Sequence, residues 1–228
     1  MHSHILPGID DGSPDVETSI ALVRGLMEMG ITRSVASPHV ICDIYRNTPA
    51  TIGAALATLQ NAIKKEGLDF AVSAAAEYML DPYFFELLQS GDGLLTIKDN
   101  LVLTEFSFGF MPESPKQMSF AILTAGYTPI LAHPERYAYY HNNYNAYHTL
   151  QELGFVLQVN LLSVTGYYGP QVARAAKYII QNGLATLVGT DLHHQRHMDA
   201  MMDIRNQRIF SEIFKGELWN QSLLRDDL

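Results

Sequence analysis

Apolar and polar positions fall along this chain in blocks. Short apolar runs recur at residues 34–36, 70–75, 101–104, 129–132, 156–159 and 186–189, and read as buried strands. The longer stretches between them carry helix punctuation. Ser13-Pro14 reads as an N-cap followed by proline at the first helical position, and Gly30 ends that helix. Thr48-Pro49 opens a second, closed by Lys64, Lys65 and Gly67, and Ser114-Pro115 opens a third that ends near Gly126. Residues 80–90 read as a short helix, Gly154 stops another, and a further one runs from near Pro170 to Gly183. Residues 198–228 are mostly helical in pattern and are expected to pack outside the body of the fold. Strands alternating with helices, without long hairpins, predict parallel strands joined by crossovers. The expectation is one α/β domain over residues 1–228, barrel-like or open.

The ends of these runs carry a particular chemistry. The run at 34–36 leads to His39, that at 70–75 to Glu77, and that at 101–104 to Glu105. The remaining ones deliver His133, then Asp191 and His193. In parallel α/β folds functional groups gather at the carboxyl ends of strands. The chain start adds His2, His4 and Asp11. Two residues apart in a strand, His2 and His4 point to one face and can grip one ion. Neutral imidazole and carboxylate are ordinary ligands of divalent transition metals. Nine such residues exceed what one ion takes up, so two or three ions bridged by carboxylates are expected, with hydrolysis the leading reaction class.

Composition narrows the field. At 228 residues, 47% hydrophobic and 17% charged, the chain suits a globular protein with a substantial core. A formal net charge of −9 disfavours a general nucleic-acid or anionic-membrane surface. Divalent ions would still reverse the local field for an anionic substrate. No apolar stretch reaches the length of a membrane span and no signal peptide is visible, so the cytoplasm is the expected compartment. The single cysteine, Cys42, excludes an intramolecular disulfide. A cysteine-based tyrosine phosphatase would need an arginine six positions on, where Thr48 stands, so covalent cysteine chemistry is not expected.

Several stretches, in order and over nearly the whole chain, resemble the polymerase-and-histidinol-phosphatase (PHP) superfamily. They are 2–12 (HSHILPGIDDG), Ser37-Pro38-His39, Ala76-Glu77-Tyr78, 103–107 (LTEFS), 132–137 (AHPERY), Gln158-Val159-Asn160 and 190–193 (TDLH). Within it they are most similar to the bacterial PHP-type protein-tyrosine phosphatases of capsule and exopolysaccharide loci. The resemblance implies a distorted (β/α)7 barrel with its metal site at the C-terminal ends of the strands. It also implies three divalent ions, manganese first, with iron or zinc as alternatives. His2, His4, Glu77 and Asp191 would hold one ion, Glu77 would bridge to a second held with Glu105 and His133, and Asp11, His39 and His193 would hold the third. Only Met1 precedes His2, so the first strand is expected to be abbreviated or trimmed and its metal position the loosest.

The same resemblance implies hydrolysis of phosphotyrosine on a protein, with a tyrosine kinase of exopolysaccharide or capsule synthesis as the expected substrate, by a metal-activated hydroxide attacking phosphorus. Arg136, three residues past His133, is the expected phosphate-gripping residue, and Arg196, three past His193, the second; Arg46 is a weaker third. Aromatic residues at 106, 108 and 110 and at 137–147 could line the site mouth but are read first as packing groups. The alternatives are a small-molecule phosphomonoesterase such as a histidinol phosphatase, or a non-catalytic regulatory partner. Metal identity, physiological substrate, general acid and oligomeric state are not encoded in any pattern of this sequence.

Overall fold

The computed structural model describes residues 1–204 and Asn220. Eight short strands, all parallel where they pair, alternate with seven α-helices among these residues. The strands are β1 (Arg33–Ala36), β2 (His39–Val40), β3 (Ala71–Ala74), β4 (Glu77–Met79), β5 (Leu101–Glu105), β6 (Thr128–Ala132), β7 (Val156–Asn160) and β8 (Ala185–Gly189). The helices are α1 (Val16–Glu28), α2 (Pro49–Lys65), α3 (Pro82–Ser90), α4 (Pro115–Thr124), α5 (Asn145–Glu152), α6 (Pro170–Gln181) and α7 (Gln195–Ile204). The expectation for 198–228 is met by α7 as far as Ile204; residues 205–219 and 221–228 lie outside the described residues.

Six strands form one sheet in the order β2-β4-β5-β6-β7-β8, and β1 pairs separately with β3. The two sheets are one ladder with a break. Arg33 pairs with Ala71 and Ala36 with Ala74, and the same offset resumes where His39 pairs with Glu77. Across the break, Ala75 donates its N–H to the Ala36 carbonyl at 2.7 Å and Glu77 to that of Pro38 at 3.0 Å. The apolar runs at 34–36 and 70–75 therefore continue into second short strands, too brief to show as runs. His39 and Glu77 were expected beyond strand ends; they stand at the first positions of β2 and β4.

The chain start closes the ring. Ser3 forms a parallel bridge to Leu192, and His4 donates its N–H to the Leu192 carbonyl at 2.8 Å. On the other side the Ser37 N–H donates to the Ser3 carbonyl at 2.8 Å. Residues 1–4 thus stand as a strand between the end of β8 and the break in β1–β2. Counting each broken strand once, the ring has seven members, as the (β/α)7 reading requires.

Helix starts follow the proline signals with one exception. Thr48 and Thr51 form a reciprocal capping box ahead of α2, and Ser114 caps α4 through the Gln117 N–H. Ser13 was expected to cap α1, but Asp15 does so, accepting from the Thr18 N–H at 2.8 Å. Ser13 is held in the preceding loop, where its N–H donates to the His4 carbonyl and its carbonyl accepts from Gly8.

Period-two alternation places the site. A small apolar cluster of Ala75, Ile97, Leu103, Ile130, Ala132 and Leu187 fills the inside of the ring, and the larger core packs between strands and helices. Leu101 and Leu103 share a face with Glu105, Ala75 with Glu77, and Val156 with Gln158 and Asn160. Polar residues therefore sit inside the ring, directly above an apolar plug.

Gly12 is required by this closure. A Cβ there would lie 2.1 Å from the His4 carbonyl oxygen and 2.4 Å from the His4 Cβ. A Cβ at Gly25 would meet only the Met198 side chain, nearest at 2.6 Å. Gly12→Ala is expected to cost about 1–3 kcal/mol, lowering Tm by roughly 3–10 °C. Gly25→Ala should cost less than half as much, because a methionine side chain can move aside. Thermal unfolding of the two variants measures both.

Candidate metal centre

All nine sequence-predicted ligand residues converge. Their potential ligand atoms form four overlapping groups, each with all atoms within 4.8 Å: His4, Asp11, His39 and His193; His2, His4 and Glu77; His2, His133 and Asp191; and His39, Glu77 and Glu105. No further residue enters these groups among the described residues. The implied trio of Asp11, His39 and His193 is together, joined by His4. His133 groups with His2 and Asp191, whereas the resemblance puts it with Glu105; His39 takes that place.

Glu77 is the hub. Its Oε2 lies 3.2 Å from His2 Nε2, 3.3 Å from His4 Nε2 and 3.2 Å from His39 Nδ1, while Oε1 lies 3.1 Å from His133 Nε2. Asp191 Oδ1 faces His2 Nε2 at 3.3 Å and His193 Nδ1 at 3.4 Å. Glu77 Oε2, Glu105 Oε1 and His39 Nδ1 are buried without a hydrogen-bond partner. Buried carboxylate oxygens and imidazole nitrogens that approach without bonding one another are the donor set divalent ions take up. The residues present fit a metal centre.

A layer behind the cluster orients it. His2 Nδ1–H donates to the Gln158 side-chain oxygen, and His4 Nδ1–H donates to Asp10 Oδ2 at 2.7 Å. In the neutral rings both Nε2 lone pairs would thereby face inward, the tautomer a metal ion needs. His193 Nδ1–H donates to the Asp191 carbonyl at 2.9 Å. Asn160 donates to Asp191 Oδ2 at 2.6 Å, and its own N–H is held by buried Glu135 at 2.8 Å. Three ligand residues, His2, His133 and Asp191, have φ of +62°, +37° and +50°, a region that side chains avoid. Strain of this kind persists only where the surroundings over-determine the conformation.

Burial and charge set the protonation states. Burial works against the ionised forms of Glu77 and Asp191, yet the neighbouring imidazoles hold both well below the usual carboxylate range. Burial and His4 oppose the charge on His39, but Glu77 and Glu105 raise it to about 9. Burial and the neighbouring His4 push His193 down to about 3, so it is a neutral imidazole at working pH.

Arg136 reaches the cluster; Arg196 and Arg46 are not brought into it. Arg136 Nη1 donates to Asp191 Oδ2 at 2.8 Å. Its guanidinium lies between two rings, with Cζ 4.8 Å from the Phe108 centroid and 4.4 Å from that of Tyr168. Arg196 is exposed on α7, and Arg46 stacks on Tyr83.

A profile of the family described as capsular polysaccharide synthesis, CpsB/CapC, matches residues 1–215. The chain belongs to the CpsB/CapC family. It is 30% identical over 195 residues to the tyrosine-protein phosphatase YwqE of Bacillus subtilis, covering 85% of this chain and 76% of that one. With the tyrosine-protein phosphatase CpsB of Streptococcus pneumoniae the identity is 28% over 205 residues, covering 85% and 82%. A solved structure from work on YwqE and CpsB, described as unique metal-dependent tyrosine phosphatases, superposes with a TM-score of 0.81 at 28% identity, covering 93% of this chain and 87% of that one.

In this CpsB/CapC chain, sequence reasoning overlooked Asp10, Gln158, Asn160 and Glu135 as supports. Asp10 also accepts from the His39 N–H at 3.1 Å, so one carboxylate fixes two ligand residues. The Asp10-Asp11 pair was the available signal, and the structure turns Asp10 behind His4 and His39 and Asp11 toward His39 and His193. Gln158 and Asn160 alternate on β7, which marks them as sharing the inward face.

Metal uptake must displace the proton that His39 carries. Because its pKa is raised to about 9, and those of His2 and His4 are raised too, ion affinity is expected to rise with pH from neutral up to about 9. Calorimetric titration with Mn2+ across that range checks the sign; affinity independent of pH would remove His39 from the ligand set.

Proposed function

We propose that this protein is a metal-dependent tyrosine-protein phosphatase, hydrolysing phosphotyrosine on proteins. The observation that carries it is the nine-residue cluster with unpartnered carboxylate oxygens and a tethered arginine beside it. Similarity to YwqE and CpsB supports the substrate class. Nine ligand residues support three ions, with His2, His4, Asp11, His39, Glu77, Glu105, His133, Asp191 and His193 as their protein ligands and manganese the first candidate, iron or zinc next. When bound, the ions supply an activated water nucleophile and positive charge for the phosphoryl oxygens.

The chain's own residues then position the ester. Asp191 tethers one arm of the Arg136 guanidinium, and the two flanking rings hold its plane, leaving the other N–H groups for phosphoryl oxygens. That fork is set before substrate arrives, so little side-chain entropy is lost on binding. Arg196, exposed on α7 and outside the cluster, is the second candidate for a phosphate contact. The leaving phenolate has a pKa near 10 and makes a light demand on a general acid. The natural substrate we assign is a tyrosine kinase of capsule or exopolysaccharide synthesis, met in the cytoplasm; no helix among the described residues is long and apolar enough to cross a membrane. Residues 1–228 act as one PHP-type metallohydrolase domain.

Initial rates on a phosphotyrosine peptide, a phosphoserine peptide and histidinol phosphate, with and without chelator, test this reading. Phosphotyrosine should be preferred and chelator should abolish turnover. Chelator-resistant activity would sink the metal mechanism, and preference for histidinol phosphate would move the assignment to a small-molecule phosphatase. Arg136→Ala should lower kcat/KM by about 100-fold with bound metal retained.

A further inference from the structure

Of the exposed aromatic residues Phe108, Phe110, Phe120 and Tyr167, Phe108 is the one that lies against both His133 and Arg136. Phe106, two residues earlier, is buried in the main core, whereas Phe108 is 46% exposed. It follows β5, the strand that ends in Glu105. Its ring stacks on His133, with centroids 5.4 Å apart and planes at 24°, and touches the Arg136 guanidinium at 4.8 Å. A third neighbour, the buried Tyr137 ring, lies 5.4 Å away and backs it from the core side. One exposed ring thus spans from a ligand residue to the phosphate-gripping arginine.

We propose that Phe108 is the specificity-determining ring of this site, stacking on the phenyl group of a phosphotyrosine side chain and so favouring aryl over alkyl phosphates. The inference rests on the phosphatase reading above and deepens it. A phosphoryl group on Arg136 places the substituent of its ester oxygen beside the ring that already covers that arginine. A phenyl group reaches the exposed part of the ring and gains an offset-stacked or edge-to-face contact. A seryl or threonyl phosphate has no ring to stack and ends short of it. Backing by Tyr137 and His133 keeps Phe108 in place, so the contact needs no ordering of a loose side chain.

Binding of phenylphosphonate and methylphosphonate to the metal-loaded protein, read as competitive inhibition and as protection from thermal unfolding, isolates the ring contact. Phe108→Leu is expected to reduce the preference for phenylphosphonate by about three- to tenfold, and Phe108→Tyr to retain it, with metal content unchanged in both. Equal weakening of both phosphonates would overturn the proposal, because the ring would then only support Arg136 and His133. An unchanged preference in Phe108→Leu would overturn it as well. A wild-type protein inactive on phosphotyrosine peptides that still shows the Phe108-dependent preference would refute the function proposed above and uphold the ring's role.

Discussion

A single carboxylate oxygen, Glu77 Oε2, lies within 3.3 Å of three imidazole nitrogens and accepts no hydrogen bond. An ionised oxygen taken out of water is costly unless positive charge compensates it. Everything around it serves that requirement. Glu77 opens β4, which pairs with β2 on one side and β5 on the other. His39 is thereby set beside it by strand register, and Glu105 enters from the next strand. Ser37, between β1 and β2, turns its N–H away from β3 and β4 to the Ser3 carbonyl, and the chain start so held brings His2 and His4 to the same oxygen.

Protein contacts hold the candidate ligands nearest the chain start. Their position with only Met1 ahead suggested weak anchoring. The His2 carbonyl accepts from the Asp191 N–H at 2.9 Å and the Thr190 hydroxyl at 2.7 Å, and its ring is fixed by Gln158. His2 and His4 are fully buried. Anchoring depends on backbone bonds to both neighbours in the ring, and three or four residues suffice for that.

Legibility in the sequence tracked distance along the chain. Strands of four or five apolar residues, and helices opened by Thr48-Pro49 or Ser114-Pro115, depend on neighbours and were readable. β2 and β4, at two and three residues, carry no run of their own and exist because a partner lies alongside. Ser13-Pro14 misled because its serine is engaged by His4 and Gly8, contacts visible only after the loop closes. The ligand residue types were readable at the ends of runs, while their grouping was not. Whether His39 faces Glu105 or only Asp11 depends on the lateral order of strands, which spacing does not encode. Asp10 and Asp11 are chemically identical in sequence; the fold alone turns one behind His4 and the other toward His193.

Arg136 joins two parts of the molecule with different physical demands. On its inner side Asp191 binds it, and Asp191 is held by Asn160, itself held by Glu135. That chain runs through buried groups on strand ends and turns, where a displaced atom would leave charges unpaired. On its outer side two rings from separate loops cover it, and one of them is half exposed. Loops tolerate change that a buried polar network does not. The two sides can therefore diverge within one fold: the inner contacts fix the position of the guanidinium, and the outer rings set what surrounds its open side. Because the guanidinium touches both, a ring can be exchanged for another without moving the arginine, whereas a change at Asn160 or Glu135 alters the ligand geometry first.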